Sequence, residues 1–424
     1  MDILKTNLTG RDMTTSINAS RRHFSQAMMA LAAMGAAGPV FSQGRPAPFK
    51  VGALNSITGA GGTYGPGMLE AIKIGIAEVN AAGGAAGREL KLYAEDDQTR
   101  PDAAVLAARK LVDIQHVDAM IGIWSSAVQL ATLPITNAAG ILSFNTCGAP
   151  EIRTEDKRDL VFQFYASNAI IGAAFAAIGQ RLGYKRAAVL GYNNATMSAQ
   201  ANHFKAAWEK KGNQIVSSAI YEPNQATYRT EVEKAVAAKP DVIVLSSYTP
   251  DATILLKEWY QTGYECKFIM PGYSATPALI KALGPDVMRN IVSTANVPAS
   301  DNQAYKAFVE KFQAVTKSPP EMFAAAAYDM VITLALAIEA AGPDAKPADL
   351  SALVRQVSNP PGQKVSSFVQ GRDLLRQKAK IDFDGASSSL DFDANGDTVP
   401  DFGIYEFDGK AFALKDVVPG ATLM

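Results

Sequence analysis

The sequence predicts an α/β protein built of two successive units, each a doubly wound parallel sheet, and three observations predict it. Short β-branched runs alternate with helix-length patterns, and the rhythm restarts in mid-chain. The chain of 424 residues is also 48% hydrophobic and only 19% charged, long and apolar enough to bury two cores and too apolar to be disordered.

In the first unit, Phe49 to Leu54 reads as a strand, Met68 to Ala82 as a helix, Leu90 to Glu95 as a strand, Asp102 to Gln115 as a helix and Ala119 to Trp124 as a strand. Gly83-Gly84 stops the first helix, and Thr99 and Pro101 start the second. The second unit opens after Asn168 with a helix to Leu182, then strand Arg186 to Tyr192, a helix to Lys211 and strand Gln214 to Tyr221. It continues with helix Tyr228 to Ala238, strand Asp241 to Tyr248, helix Asp251 to Gly263 and strand Lys267 to Met270. An extended run from Ile291 to Pro298 and Ala-rich helices from Asn302 to Ala341 follow. The Gly/Asp-rich tail is too short for a third domain and must rejoin the first two. Within it, Asp391 to Asp397 imitates a calcium loop, but the twelfth position is Phe402 and no flanking helices are evident. Asn395-Gly396 is expected to be a hairpin turn between strands.

The first residues read as an address. Arg21-Arg22 precede an uncharged stretch from Ala27 to Gly38, the order of a twin-arginine export signal over residues 1–44. That stretch is well short of the roughly 20 residues that span a bilayer. The protein is therefore expected in the periplasm. Removing residues 1–44 takes four basic and two acidic residues from totals of 40 and 41, leaving 36 and 39.

Such a balance, without a basic stripe, supplies no footprint for nucleic acid. Two cysteines, Cys147 and Cys266, exclude a disulfide scaffold and a cysteine metal cluster, and three histidines supply little for a metal site. No metal or cofactor is expected.

Ligands of open parallel sheets bind beyond the carboxyl ends of the strands. In the first unit those ends offer Tyr64 in the glycine-rich loop Gly59 to Gly67, then Trp124, Ser125 and Ser126, then Asn145, Thr146, Cys147 and Gly148. In the second they offer Asn193 and Asn194, Tyr248 and Asp251, and Tyr273. The loop has no lysine and is too long for a dinucleotide fingerprint, so it is expected to approach a ligand through its backbone and Tyr64. Ser125 and Ser126 can hold a carboxylate at a helix start or merely cap the helix. The aromatics can wall a pocket or fill a core. Catalysis has no support: no G-x-S-x-G elbow is present, His116 and His203 fall in helical patterns, and His23 is in the leader.

Several segments, in order, resemble the branched-chain amino acid binding family of ABC transporter receptors. They are Val51-Gly52-Ala53-Leu54 leading into Thr58-Gly59, Ala77 to Gly84, Asp96-Asp97-Gln98 with Ala107 to Leu111, Ile121-Gly122, Ala327-Tyr328-Asp329, and Gly385-Ala386-Ser387 followed by Asp391 to Asp397. The resemblance spans about residues 49–415 and implies the type I periplasmic binding protein fold: two doubly wound α/β lobes joined by three crossing strands, near Phe162 to Ala166, Ser293 to Val297 and Pro400 to Ile404. It implies a first lobe of residues 49–165 plus 293–400 and a second of 166–292 plus 401–424.

It also implies a monomeric, non-enzymatic receptor whose lobes close on a small molecule by hinge motion before a membrane permease takes it. Ser125 and Asn145 to Ala149 match the elements that hold a ligand carboxylate and part of an ammonium, and Tyr248 matches a pocket tyrosine. The glutamate that neutralises an ammonium falls on Gly272 or Tyr273, and another pocket tyrosine falls near Thr196. A desolvated ammonium without an acid is costly, so an ordinary amino acid would need Asp251 or Glu151 as substitute. The expected ligand is a small organic acid, aromatic acid or amide, with a branched-chain or other amino acid as the alternative. A cytoplasmic sensor of the same fold would lack the export signal, and an α/β enzyme would need a nucleophile or metal set in the cleft. Cys147 and Cys266 fall in different lobes and are expected as free thiols, because a bond between them would obstruct the hinge.

Overall fold

Parallel strands buried on both faces must be apolar along their whole length. The computed structural model, which describes residues 46–297 and 303–423, places such strands at the centre of each lobe. The expected export signal with Arg21 and Arg22 lies outside the described residues. The first lobe is formed by β1 (Phe49–Asn55), α1 (Gly65–Ala81), β2 (Leu90–Asp96), α2 (Pro101–Arg109), β3 (Ala119–Ile123), α3 (Ser126–Ala139), β4 (Leu142–Asn145), α4 (Glu151–Glu155) and β5 (Val161–Gln163). Its sheet is wholly parallel in the order β2-β1-β3-β4-β5.

The chain then crosses into α5 (Asn168–Arg181), β6 (Arg186–Tyr192), α6 (Ala195–Lys210), β7 (Gln214–Tyr221), α7 (Arg229–Ala237), β8 (Val242–Ser246), α8 (Thr249–Gln261), β9 (Lys267–Pro271), α9 (Pro277–Met288) and β10 (Ile291–Asn296). It returns to the first lobe through α10 (Gln303–Thr316), α11 (Ala324–Ala341), α12 (Leu350–Ser358), β11 (Gln363–Val365), α13 (Phe368–Arg376) and β12 (Ile381–Phe383). A last crossing leads to β13 (Phe402–Phe407) and β14 (Phe412–Val418). The second sheet runs β14-β13-β10-β9-β8-β6-β7, and β13 is antiparallel to both its neighbours. Residues 293–296, read from the sequence as part of a crossing strand, pair here with β9 and β13.

Two local expectations are corrected. The helix expected over Asp102 to Gln115 runs from Pro101, widening after Arg109 into a π-turn over Lys110–Ile114, and His116, expected within a helical pattern, stands outside it, exposed, at φ 54°. The wider turn lets Val117 N–H reach the Leu111 carbonyl and buries Val117 ahead of β3. Asn395-Gly396 does form a turn, with Gly396 at φ 76°, but one isolated bridge between Phe392 and Thr398 flanks it instead of two strands. The Asp393 carboxylate accepts the N–H groups of Asn395 and Asp397, which removes those donors from any ladder. Arg153 Nε donates to Asp397 at 2.7 Å and ties the turn to the first lobe.

Helix α11 is long and apolar enough to cross a membrane, yet here it is the buried axis of the first lobe. It lies so close to α1 that a Cβ on Gly75 would stand 3.0 Å from Val331. A fully buried acid breaks its apolar run. Asp329, fully buried, accepts from Ala386 N–H at 2.8 Å, Ser387 N–H at 2.7 Å and the Ser387 hydroxyl at 2.6 Å. Burial pushes its carboxyl up to about 7 against those three donors. Asp329→Asn would turn an NH2 toward the Ser387 donors, and it is expected to cost roughly 1.5–3 kcal/mol, read as a lower urea midpoint.

Candidate functional site

Both sheets aim the carboxyl ends of their strands at the gap between the lobes, and a cavity lies there with about 650 Å3 of empty space, its mouth included. The first lobe lines it with Trp124, Ser125, Ser126 and Ala127 after β3, with Thr146, Cys147 and Gly148 after β4, and with Phe323 ahead of α11. Tyr165 and Ala166 come from the first crossing. The second lobe adds Asn168 and Ile171, the run Asn194 to Met197 with Gln200, and Tyr248 and Tyr273. Among the described residues, no Asp, Glu, Lys, Arg or His lines the cavity.

The expected site residues divide by one position of the chain. Trp124, Ser125, Ser126, Thr146, Cys147, Gly148, Asn194, Tyr248 and Tyr273 reach the cavity, whereas Asn145, Asn193 and Asp251 do not line it. Asn145 sits behind the wall and accepts Cys147 N–H at 2.8 Å. Exposed Asn193 donates to Glu222 at 2.6 Å. Asp251 is turned into the second lobe, where it accepts the Tyr228 hydroxyl at 2.7 Å and Asn224 N–H at 3.3 Å. Neither Asp251 nor Glu151, exposed at the start of α4, stands where an ammonium in the cavity would need it.

Tyr64 acts from behind Trp124. The loop expected to cradle a ligand is instead fastened to the end of β2, with Gly61 N–H donating to Thr99 and Thr58 bonding Asp96. Gly65 must be glycine, since a Cβ would fall 2.0 Å from the Ser56 carbonyl. Tyr64 thereby stacks on Trp124 at 5.4 Å and donates its hydroxyl across the gap to the Tyr273 carbonyl at 2.7 Å. Phe323 and Tyr248 stand 6.3 and 6.2 Å from Trp124, so aromatic rings of both lobes surround the space.

Polarity comes from helix ends and neutral side chains. Helix α3 starts at the cavity with no side-chain cap, so its first N–H groups are left for a ligand. Ser126 Oγ accepts from Gly148 and Ala149 N–H at 3.3 Å and holds the two strand-end segments together. In contrast, Ser167 caps α5 and Asn194 caps α6. Burial pushes the Tyr248 phenol up to about 12 and holds the Tyr64, Tyr165 and Tyr273 phenols and the Cys147 thiol well above their ordinary values. Cys266 is buried in the second lobe, apart from Cys147 in the cavity wall, and both are unpaired.

Sequence reasoning passed over Tyr165, Asn168, Met197, Gln200 and Phe323, and named Thr196 only as the place where a pocket tyrosine of the family falls. Reading the end of β5 as it did the other strand ends would have found Asn168. Thr196, Met197 and Gln200 share one face of α6 just beyond Asn194, a spacing of three to four that marks them. Phe323 precedes a helix of the returning segment, and no strand end announces it.

A family model described as periplasmic binding protein matches residues 48–368. The leucine-, isoleucine-, valine-, threonine- and alanine-binding protein of Pseudomonas aeruginosa is 26% identical over 309 residues, 72% of this chain and 82% of that one. A leucine-binding protein from Thermotoga maritima superposes with a TM-score of 0.74 at 22% identity, covering 88% of this chain and 99% of that one. A solute-binding protein of an ABC transporter from R. palustris, solved with benzoate, gives 0.71 at 21% identity over 88% and 97%. The family is one of substrate-binding receptors, and the R. palustris protein is the solute-binding component of an ABC transporter. The chain belongs to the periplasmic binding protein family and has the type I fold of its branched-chain amino acid receptors.

Proposed function

We propose that this receptor binds a small organic acid with an apolar or aromatic body, or the corresponding amide, and delivers it to an ABC permease after its lobes close. The observation that carries the reading is the chemistry of the cavity lining: hydroxyls, amides and aromatic rings, an uncapped helix start, and no acid to neutralise an ammonium. An anion gains from the helix N-terminus, and an unpaired ammonium loses its hydration with nothing in return. The benzoate held by the R. palustris relative is of this ligand class. The amino-acid receptors among the relatives favour the alternative, an aliphatic amino acid.

Calorimetry on the processed protein with benzoate, benzamide, leucine and valine decides between them. Binding of benzoate or benzamide with no response to leucine or valine is expected, and tight leucine or valine binding with none for the others overturns the reading. The titratable groups of the lining are phenols and a thiol held above their ordinary values, so they stay neutral near pH 7. Affinity for benzoate, itself charged throughout, is therefore expected to change less than about twofold between about pH 6 and about pH 8.5. Export through the twin-arginine route is part of the same reading. Replacing Arg21 and Arg22 together by lysine is expected to leave unprocessed protein in the cytoplasm, which fractionation detects.

A further inference from the structure

A second cavity adjoins the first, and the partition between them is a single residue thick. It encloses about 1360 Å3 of empty space, its mouth included, and residues of both lobes line it. Tyr165 lines both cavities. Beside it, chain neighbours are shared out between the two: Tyr273 and Phe323 line the first cavity, and Gly272 and Met322 line the second.

Most of the partition is fixed in place. The Tyr165 and Phe323 rings pack edge to face at 5.0 Å, and Phe323 packs in the same way on Tyr64 at 5.2 Å. The Tyr273 hydroxyl donates to Gln200 at 3.0 Å, and the Tyr273 carbonyl accepts the Tyr64 hydroxyl at 2.7 Å. Met322 is the soft place. It is half-buried, and its sulfur accepts the Tyr165 hydroxyl at 3.6 Å, a weak bond. Its methyl group takes the space that a side chain on Gly272 would need, since a Cβ there would come 2.7 Å from Met322 Cε. An unbranched thioether of this kind changes shape readily.

Beyond Met322 the second cavity offers an apolar body more of the same surroundings. Ala325, Ala326, Tyr405 and Phe412 line it, and among the described residues no Asp or Glu does.

We infer that Met322 sets the length of ligand this receptor accepts: it swings off Gly272 to admit the far end of an elongated aromatic acid, whose apolar tail then occupies the second cavity. The inference rests on the proposed acid-binding function and adds a ligand class to it, acids or amides extended by an apolar group opposite the carboxyl. Such a tail leaves water for an apolar wall, whereas a short acid leaves the partition shut and gains nothing from the second cavity.

The test compares the processed wild type with Met322→Ala and Met322→Phe. The ligands are benzoate, para-phenylbenzoate and leucine, with affinity read by calorimetry and the bound pose of the wild type by crystallography. The wild type is expected to bind para-phenylbenzoate at least as tightly as benzoate, with the outer ring in the second cavity and Met322 rotated away from Gly272. Met322→Ala removes the group that must move and is expected to bind para-phenylbenzoate roughly three- to tenfold more tightly. Met322→Phe puts a stiff ring in the passage and is expected to weaken that binding about tenfold or more. Neither change is expected to alter benzoate affinity by more than about twofold, because Met322 does not line the first cavity. If the wild type binds benzoate but rejects para-phenylbenzoate, or holds its outer ring outside the second cavity with Met322 in place, the passage is wrong and the acid-binding reading stands. The same follows if each variant shifts the two acids by equal factors. If the wild type binds leucine and neither acid, both fall.

Discussion

Two largely parallel sheets wound so that their strand ends open into one gap are the constraint on which the rest of the structure depends. Strand ends deliver loops, and the helices that follow begin there, so the gap receives N–H groups and short polar side chains. Closing such a gap removes water from everything in it. A charged side chain left without a partner would then carry a large desolvation cost, and the lining has none among the described residues. Selectivity in this protein is thus a matter of which neutral donors are left over once the protein has satisfied itself.

Those leftovers differ from helix to helix. Ser167 and Asn194 close the starts of α5 and α6, which orders the second-lobe wall before any ligand arrives. Helix α3 has no such cap, and Ser126, which could have folded back onto it, instead clasps the segment after β4. The first lobe therefore keeps an electropositive corner, and in the second lobe α8, whose first flanking residue Tyr248 lines the cavity, is likewise without a side-chain cap. The Tyr64 hydroxyl, crossing to the Tyr273 carbonyl, adds a direct protein bond to the closed arrangement.

Much of this was legible in the sequence because strand ends obey a topological rule. Trp124, Ser125, Ser126, Thr146, Cys147, Gly148, Asn194, Tyr248 and Tyr273 lie at the cavity because each follows a strand of a sheet that points there. The rule does not fix side-chain direction, and neighbours one position away, Asn145 and Asn193, face elsewhere. Asp251 looked available as an acid because helix α8 begins beside the cavity, but the Tyr228 hydroxyl draws it into the second-lobe core. Contacts between distant segments were illegible as well. Asp329 and Ser387 appear in the sequence as separate fragments, and only the fold shows the one holding the other.

The two cysteines report on the two cores separately. Cys147 is 2% exposed, its sulfur lies toward the Ile123 and Trp124 carbonyls within the first-lobe core, and burial holds its thiol neutral, so a reagent in solution meets neither an accessible sulfur nor a thiolate. Cys266 is enclosed in the core of the second lobe. The pace at which an alkylating agent consumes each thiol therefore measures how often the lobe around it opens locally.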